Sequence, residues 1–253
     1  MTVALGHHHL NVTSVDAHAA FWVDALGGTR GRASAPAADL VTFPNVTVAL
    51  TRQRPTGGTI GSTVNHVSFE TPDIRAAVDR LKAAGFPMVT RAQLPADYDV
   101  SDDLGQRGGG DIVAFVLGPD ETKVELLENR AAPALRMHHI HFAAPDVQAM
   151  QAWYVSTFGA VPGPRAGFAA ADLAGVNLTF SEASGPVVGT RGRVVDHIGF
   201  EVPDLGRFGR DLAARGVTLD STQASVPDCS TVAFLTDPWG TYIELTEGLD
   251  RVP

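Results

Sequence analysis

Four stretches of the chain alternate apolar and polar residues, and each contains histidine: HHHLNV from His7, HVSFET from His66, HIHFAA from His139 and HIGFEV from His197. The alternation predicts strands with one face on a core and the other turned away from it. Each is followed by a capping residue (Ser14, Asp73, Asp146, Asp204), apolar residues at helical spacing, and a glycine (Gly27, Gly85, Gly159, Gly216). A side-chain oxygen at the cap accepts from an orphan backbone N–H, and glycine tolerates the left-handed turn that ends a helix. Cap and glycine are separated by 13, 12, 13 and 12 residues, so odd segments match odd and even match even. After each helix come β-rich stretches broken by turn residues. Ala114–Glu128 (AFVLGPDETKVELLE) and Ala233–Glu247 (AFLTDPWGTYIELTE) read as strand, turn, strand. The pattern is that of an α+β chain made of four βαβββ modules.

The modules repeat in pairs. TGGTIGSTVNHVSFETPD from Thr56 is echoed by VVGTRGRVVDHIGFEVPD from Val187, and HHHLNV with Phe21–Trp22 is echoed by HIHFAA with Trp153–Tyr154. The chain is therefore a duplicated half, with domains expected at 1–129 (modules one and two) and 135–248 (modules three and four). The joints near 53–62 and 129–135 are rich in Gly, Pro, Thr, Ala and Arg, as linkers are. The acidic, glycine-ended insertion Gln93–Gly110 reads either as a lid over the first domain or as a surface loop.

Which side of each strand is buried follows from the alternation. His138, Ile140 and Phe142 share one face, and His139, His141 and Ala143 the other; the apolar pair marks the face under the helix. The same test turns His7, His9 and Asn11, then His66, Ser68 and Glu70, then His197, Gly199 and Glu201 away from the core. In the last strands Glu125 opposes Val124 and Leu126, and Glu244 opposes Ile243 and Leu245. Two neutral imidazoles and a carboxylate on one concave face form a facial triad with three open coordination positions.

The four H-x-x-x-x-apolar openings in register, the FW and WY pairs, and DPWGTYIEL at Asp237–Leu245 resemble the vicinal oxygen chelate superfamily. That superfamily includes glyoxalase I, bleomycin-resistance proteins and extradiol dioxygenases, and the resemblance runs from His7 to Gly248. It implies that modules pair into two half-open barrels, with one divalent ion (Fe, Mn, Zn, Ni or Co) expected and a second, in the N-terminal barrel, as the alternative. By position it implies His139, His197 and Glu244 as ligands in the second barrel and His7, His66 and Glu125 in the first. The fourth ligand of glyoxalase I would fall at Thr179 and Ala49, neither a good donor. The second barrel is expected to carry the activity, with Glu244 or His141 moving a proton and Tyr242 touching substrate. Extradiol enzymes place an acid–base histidine and a tyrosine before the final motif; here SVPDCSTVAFLTDPWG has no histidine, and Phe234 stands for the tyrosine. The expected activity is accordingly that of a metal-dependent lyase or isomerase on a small oxygen-chelating substrate. The rivals are an Fe(II) extradiol-type dioxygenase and a non-catalytic small-molecule-binding resistance protein.

Composition narrows the partners. A net charge of −9, with lysine only at Lys82 and Lys123, argues against nucleic acid or an anionic membrane. No apolar run approaches the ~20 residues of a membrane helix, and the start has no basic region before an apolar stretch, so a cytoplasmic protein is expected. The single cysteine, Cys229, excludes an internal disulfide and a cysteine zinc cluster. Monomer and homo-oligomer both fit, because paired modules can complete barrels within one chain.

Overall fold

The computed structural model describes residues 2–34, 37–106, 110–226 and 229–248. Module one runs β1 (Ala4–Val12), α1 (Val15–Ala19, prolonged by a π-helical stretch Ala20–Ala25), β2 (Thr29–Ser34), β3 (Ala37–Phe43) and β4 (Val46–Arg52). Module two is β5 (Val64–Thr71), α2 (Ile74–Ala83), α3 (Thr90–Gln93), β6 (Asp99–Ser101), β7 (Leu104–Gln106), β8 (Ile112–Gly118) and β9 (Thr122–Glu128). Module three is β10 (Arg136–Ala144), α4 (Val147–Phe158), β11 (Val161–Arg165), β12 (Phe168–Leu173) and β13 (Val176–Glu182). Module four is β14 (Val195–Glu201), α5 (Leu205–Ala214), β15 (Ser221–Val226), β16 (Cys229–Thr236) and β17 (Tyr242–Glu247).

The helices α1, α2, α4 and α5 begin as the sequence predicts. Ser14, Asp73, Asp146 and Asp204 accept from the backbone N–H of Ala17, Ala76, Ala149 and Arg207 at 3.2, 2.9, 2.9 and 2.8 Å. Gly27, Gly85, Gly159 and Gly216 follow the helices with φ of +81°, +82°, +71° and +79°, the left-handed region that a side chain would strain. The apolar strand faces lie under the helices: Leu10, Val12, Val67, Phe69, Ile140, Phe142, Ile198 and Phe200 are all buried in one core with Trp22 and Tyr154. His8 is buried too. Neither of its ring nitrogens has a hydrogen-bond partner among the described residues.

The modules associate across the two halves of the sequence and not within them. One sheet of eight strands, ordered β15, β16, β17, β14, β1, β4, β3, β2, joins modules one and four. The other, of nine strands, ordered β11, β12, β13, β10, β5, β9, β8, β7, β6, joins modules two and three. The seams are antiparallel, β1 on β14 and β5 on β10, so β1 is held on both sides although it lies near the start of the chain. The segment between β4 and β5 supports this exchange by pairing with the segment between β13 and β14: Thr56 N–H donates to Gly192 O at 2.8 Å, Val194 to Gly57 at 2.9 Å and Thr63 to Val188 at 3.0 Å. Arg193 adds bonds to the carbonyls of Gly58 and Ile60 at 2.9 and 3.0 Å.

Within the insertion, β6 and β7 form a hairpin that extends the edge of the nine-stranded sheet. Tyr98 and Val100 pack there on Val113 and Phe115, so this part is an outgrowth of the sheet; residues 107–109 lie outside the described ones. Among the described residues no helix is long and apolar enough to cross a membrane.

Two candidate metal centres

The cross-half pairing regroups the expected ligands. His139 meets His66 and Glu125 in the nine-stranded sheet, which we call the central site. His7 meets His197 and Glu244 in the eight-stranded sheet, the outer site. The expected groupings, His139 with His197 and Glu244 and His7 with His66 and Glu125, are thus exchanged, because a strand's neighbour is set by the seams and not by sequence order. His141 and Glu244, read as alternative proton carriers of one barrel, stand in different sites.

In the central site His66 Nε2 and His139 Nε2 lie 3.4 and 3.1 Å from the same oxygen, Glu125 Oε2. The outer site repeats this: His7 Nε2 and His197 Nε2 lie 3.2 and 2.8 Å from Glu244 Oε2. The ring orientations are set from behind. His66 Nδ1–H donates to Asn65 Oδ1 at 2.9 Å, and His197 Nδ1–H to Asp196 Oδ1 at 2.8 Å, so each ring turns Nε2 towards the carboxylate.

A third imidazole stands beside each triad. In each set, His66, His139 and His141 or His7, His9 and His197, potential ligand atoms lie within 4.8 Å of one another. Yet His141 stacks on His66 at 4.5 Å and 27°, and His9 on His197 at 4.5 Å and 30°. A ligand's lone pair lies in its ring plane, so two nearly parallel stacked rings do not both aim at one ion. Each extra ring bonds a hydroxyl instead: His141 Nε2 lies 2.8 Å from Ser181 Oγ, and His9 Nε2 lies 2.8 Å from Thr51 Oγ1. His9 was not among the residues picked out from sequence, although it occupies the same place after His7 that His141 occupies after His139. Thr179 bonds Asn177 Oδ1 at 2.7 Å, and Ala49 is buried, so neither fourth-ligand position offers a donor.

Electrostatics differ between the two. Burial pushes His66 down to about 4 despite its contact with Glu125. At His197 burial is outweighed by Asp196 and Glu244, and the imidazole is shifted upward. A carboxylate behind one ring and an amide behind the other account for the contrast. Glu125 and Glu244 are both held below the usual carboxylate range, burial being overcome by the histidines around them. Burial keeps His141 neutral, well below its ordinary value, and holds His9 at about 3.

The residue two places before each glutamate also differs. Tyr242 stacks on Phe234 at 5.1 Å, meets His197 edge-on at 5.7 Å, and lies under the Arg191 guanidinium at 4.6 Å. Its counterpart Lys123 is buried, donates to Gln93 Oε1 at 2.6 Å and is pulled by burial to about 8. Strict alternation fails at one position that sequence reasoning placed under the helix. A β-bulge between Met137 and His139 swings His138 into the central cavity. Arg165 Nη1 donates to His138 Nε2 at 2.9 Å, and His138 Nδ1 lies 2.8 Å from His139 Nδ1. The cavity, of about 270 Å³, is lined by His138, His139, His141, Arg165, Phe168 and Thr179 among others.

The donor set fits a divalent cation. Among the described residues, the buried Nε2 atoms of His66, His139 and His197 have no hydrogen-bond partner of regular geometry, and each faces a glutamate oxygen at 3.4, 3.1 and 2.8 Å. Converging imidazoles around one carboxylate need a positive charge between them, a proton or a metal ion.

Comparison with known proteins agrees with this frame. Among curated protein sequences none matches the chain significantly. Glyoxalase I from Zea mays superposes with a TM-score of 0.74 at 16% identity, over 98% of this chain and 94% of that one. A Bacillus subtilis protein described as a candidate dioxygenase superposes at 0.70 and 14% identity, over 98% of this chain and 86% of that one. These likenesses establish the fold. The sequence profile of the Glyoxalase/Bleomycin resistance protein/Dioxygenase superfamily matches residues 4–126 and 136–245, nearly the whole chain, and the protein belongs to that superfamily.

Proposed function

We propose that the protein is a divalent-metal-dependent lyase or isomerase of the glyoxalase kind, acting on a small substrate with two neighbouring oxygens. His66, His139 and Glu125 would hold one ion and His7, His197 and Glu244 a second. The observation that carries this reading is the convergence, twice in one chain, of two imidazole Nε2 atoms on a single carboxylate oxygen. A bound divalent ion supplies Lewis-acid stabilisation of negative charge developing on a substrate oxygen. The chain's own residues do the rest. Glu125 and Glu244 stay ionised and serve as ligands. His141, neutral and exposed to the cavity, takes a proton from substrate carbon and returns it to the neighbouring carbon or oxygen, with Ser181 Oγ 2.8 Å from its Nε2 as relay. His9 and Thr51 occupy the matching places in the outer site. Phe115 and Phe234, each edge-on to a ligand histidine at 5.5 and 5.7 Å, line the triads with apolar rings where a ring-cleaving relay needs a proton carrier.

The test is hydrogen exchange at carbon. Metal-loaded protein is incubated in D₂O with hydroxyacetone, a minimal vicinal oxygen chelator, and carbon-bound deuterium is followed by NMR. The proposal expects exchange that requires the metal and falls at least tenfold in His9→Gln/His141→Gln while metal content is unchanged. Metal-loaded protein that exchanges no faster than buffer, or His9→Gln/His141→Gln that exchanges like the parent, would sink it.

A further inference from the structure

We infer that the central cavity recognises a small oxygen chelator carrying a second, anionic group, and that Arg165 binds that group. This rests on the metal-dependent reading above and names its substrate class. Arg165 ends β11, beside the left-handed turn at Ala166 and Gly167, and lines the cavity with His139 and His141. The cavity's two glutamates are answered by other arginines. Glu70 pairs with Arg136 at 3.2 Å and accepts from Asn129 at 3.0 Å, and Glu128 pairs with Arg130 at 3.0 Å. Asp111 stands exposed at the rim. Arg165 has no carboxylate partner among the described residues; its guanidinium donates to the imidazole of His138 at 2.9 Å. A half-buried guanidinium whose partner is a ring nitrogen keeps most of its affinity for an anion, and its planar fork matches the paired oxygens of a carboxylate or phosphate.

The outer site supplies an internal comparison. Its seam strand carries the same bulge, between Leu5 and His7, with Gly6 where His138 stands. The fifth residue of β2, the place of Arg165 in β11, is Ala33. The duplication thus kept the ligand frame twice, and among the described residues the cation–imidazole pair that could read a distant charge stands in the central copy. His138 is a positioning residue in this scheme, since it holds the guanidinium over the cavity.

The experiment uses the full chain loaded with Co(II), titrated by calorimetry with malate, 3-phosphoglycerate and 2-hydroxybutyrate. All three share a 2-hydroxy acid head and differ in the distal charge. The expected result is that at least one of the two anion-tailed ligands binds tenfold or more tighter than 2-hydroxybutyrate, at one equivalent per chain; which one identifies the group as carboxylate or phosphate. In Arg165→Met the preference should fall below threefold with cobalt content unchanged. Equal binding of the three ligands to cobalt-loaded protein, or a preference that survives Arg165→Met, overturns this inference alone. Failure to bind cobalt overturns the metal-dependent reading, and this inference with it.

Discussion

Gly199 is where the account of the outer site is most exposed to a single methyl group. It lies opposite His7 across the seam of β1 and β14. A Cβ added there would stand 2.2 Å from His7 Cε1 and Nδ1 and 2.8 Å from Cγ. Ordinary contact begins near ~4 Å, so the ring must retreat by more than ~1 Å. His7 is itself buried, with Nε2 3.2 Å from Glu244. Ligand distances are tolerated only within about 0.2 Å, so a retreat of this size removes His7 from any shared ion. The overpacking costs about 1–3 kcal/mol. For a chain of this size each kcal/mol lowers Tm by about 2–4 °C, so the expected fall is about 2–12 °C. In the central site Ser68 already carries a Cβ opposite His139, which makes Ser68→Gly the control. Elemental analysis after cobalt loading should give two ions for the parent and for Ser68→Gly, and one for Gly199→Ala. Gly199→Ala that keeps two ions and the parent Tm, or that loses the central ion, would refute the reasoning.

Two further predictions concern the frame around the sites. Tyr154 OH donates to the buried carboxylate of Asp237 at 3.1 Å, in the turn that carries DPWG. Tyr154→Phe should therefore lower stability by about 1–3 kcal/mol in denaturant titration and leave metal content unchanged; a change below 0.5 kcal/mol, by the same scale, contradicts it. His18 is fully buried, accepts from Trp22 Nε1 at 3.3 Å and faces Asp120 at 3.2 Å, and burial shifts its pKa below 6.5. A depressed folded pKa means that its stabilisation is complete above 6.5 and is lost as pH falls towards the folded value. Metal-free parent protein should lose stability between pH 6.5 and 5 more steeply than His18→Gln, as chemical denaturation at each pH would show; parallel curves would count against it.

The caps, glycine stops and buried strand faces were legible in the sequence because each is decided within a few residues: Asp73 bonds Ala76, and Ile140 and Phe142 turn towards their own helix. Which modules share a sheet was not legible. The polar face of β1 is the same whether β5 or β14 lies beside it, and the observed pairing is supported by bonds such as Thr56 to Gly192, which have no signature in either segment. His138 was misplaced because a bulge breaks the alternation that located its neighbours. Arg165 belongs to no motif, and its place on the cavity follows from the turn at Ala166 and Gly167 that ends β11. The residue types of the two triads could be named from the repeat; their grouping needed the fold.

That grouping is the central claim, and it can be tested by counting ions in paired variants. Cobalt is measured in His66→Ala/His139→Ala and in His139→Ala/His197→Ala, beside the three single variants. The cross-half pairing predicts that each single variant loses one of two ions, that the first double variant loses no more, and that the second loses both. If His139→Ala/His197→Ala kept one ion while His66→Ala/His139→Ala lost both, modules would pair within each half of the sequence, and the two sites described here would be wrongly composed.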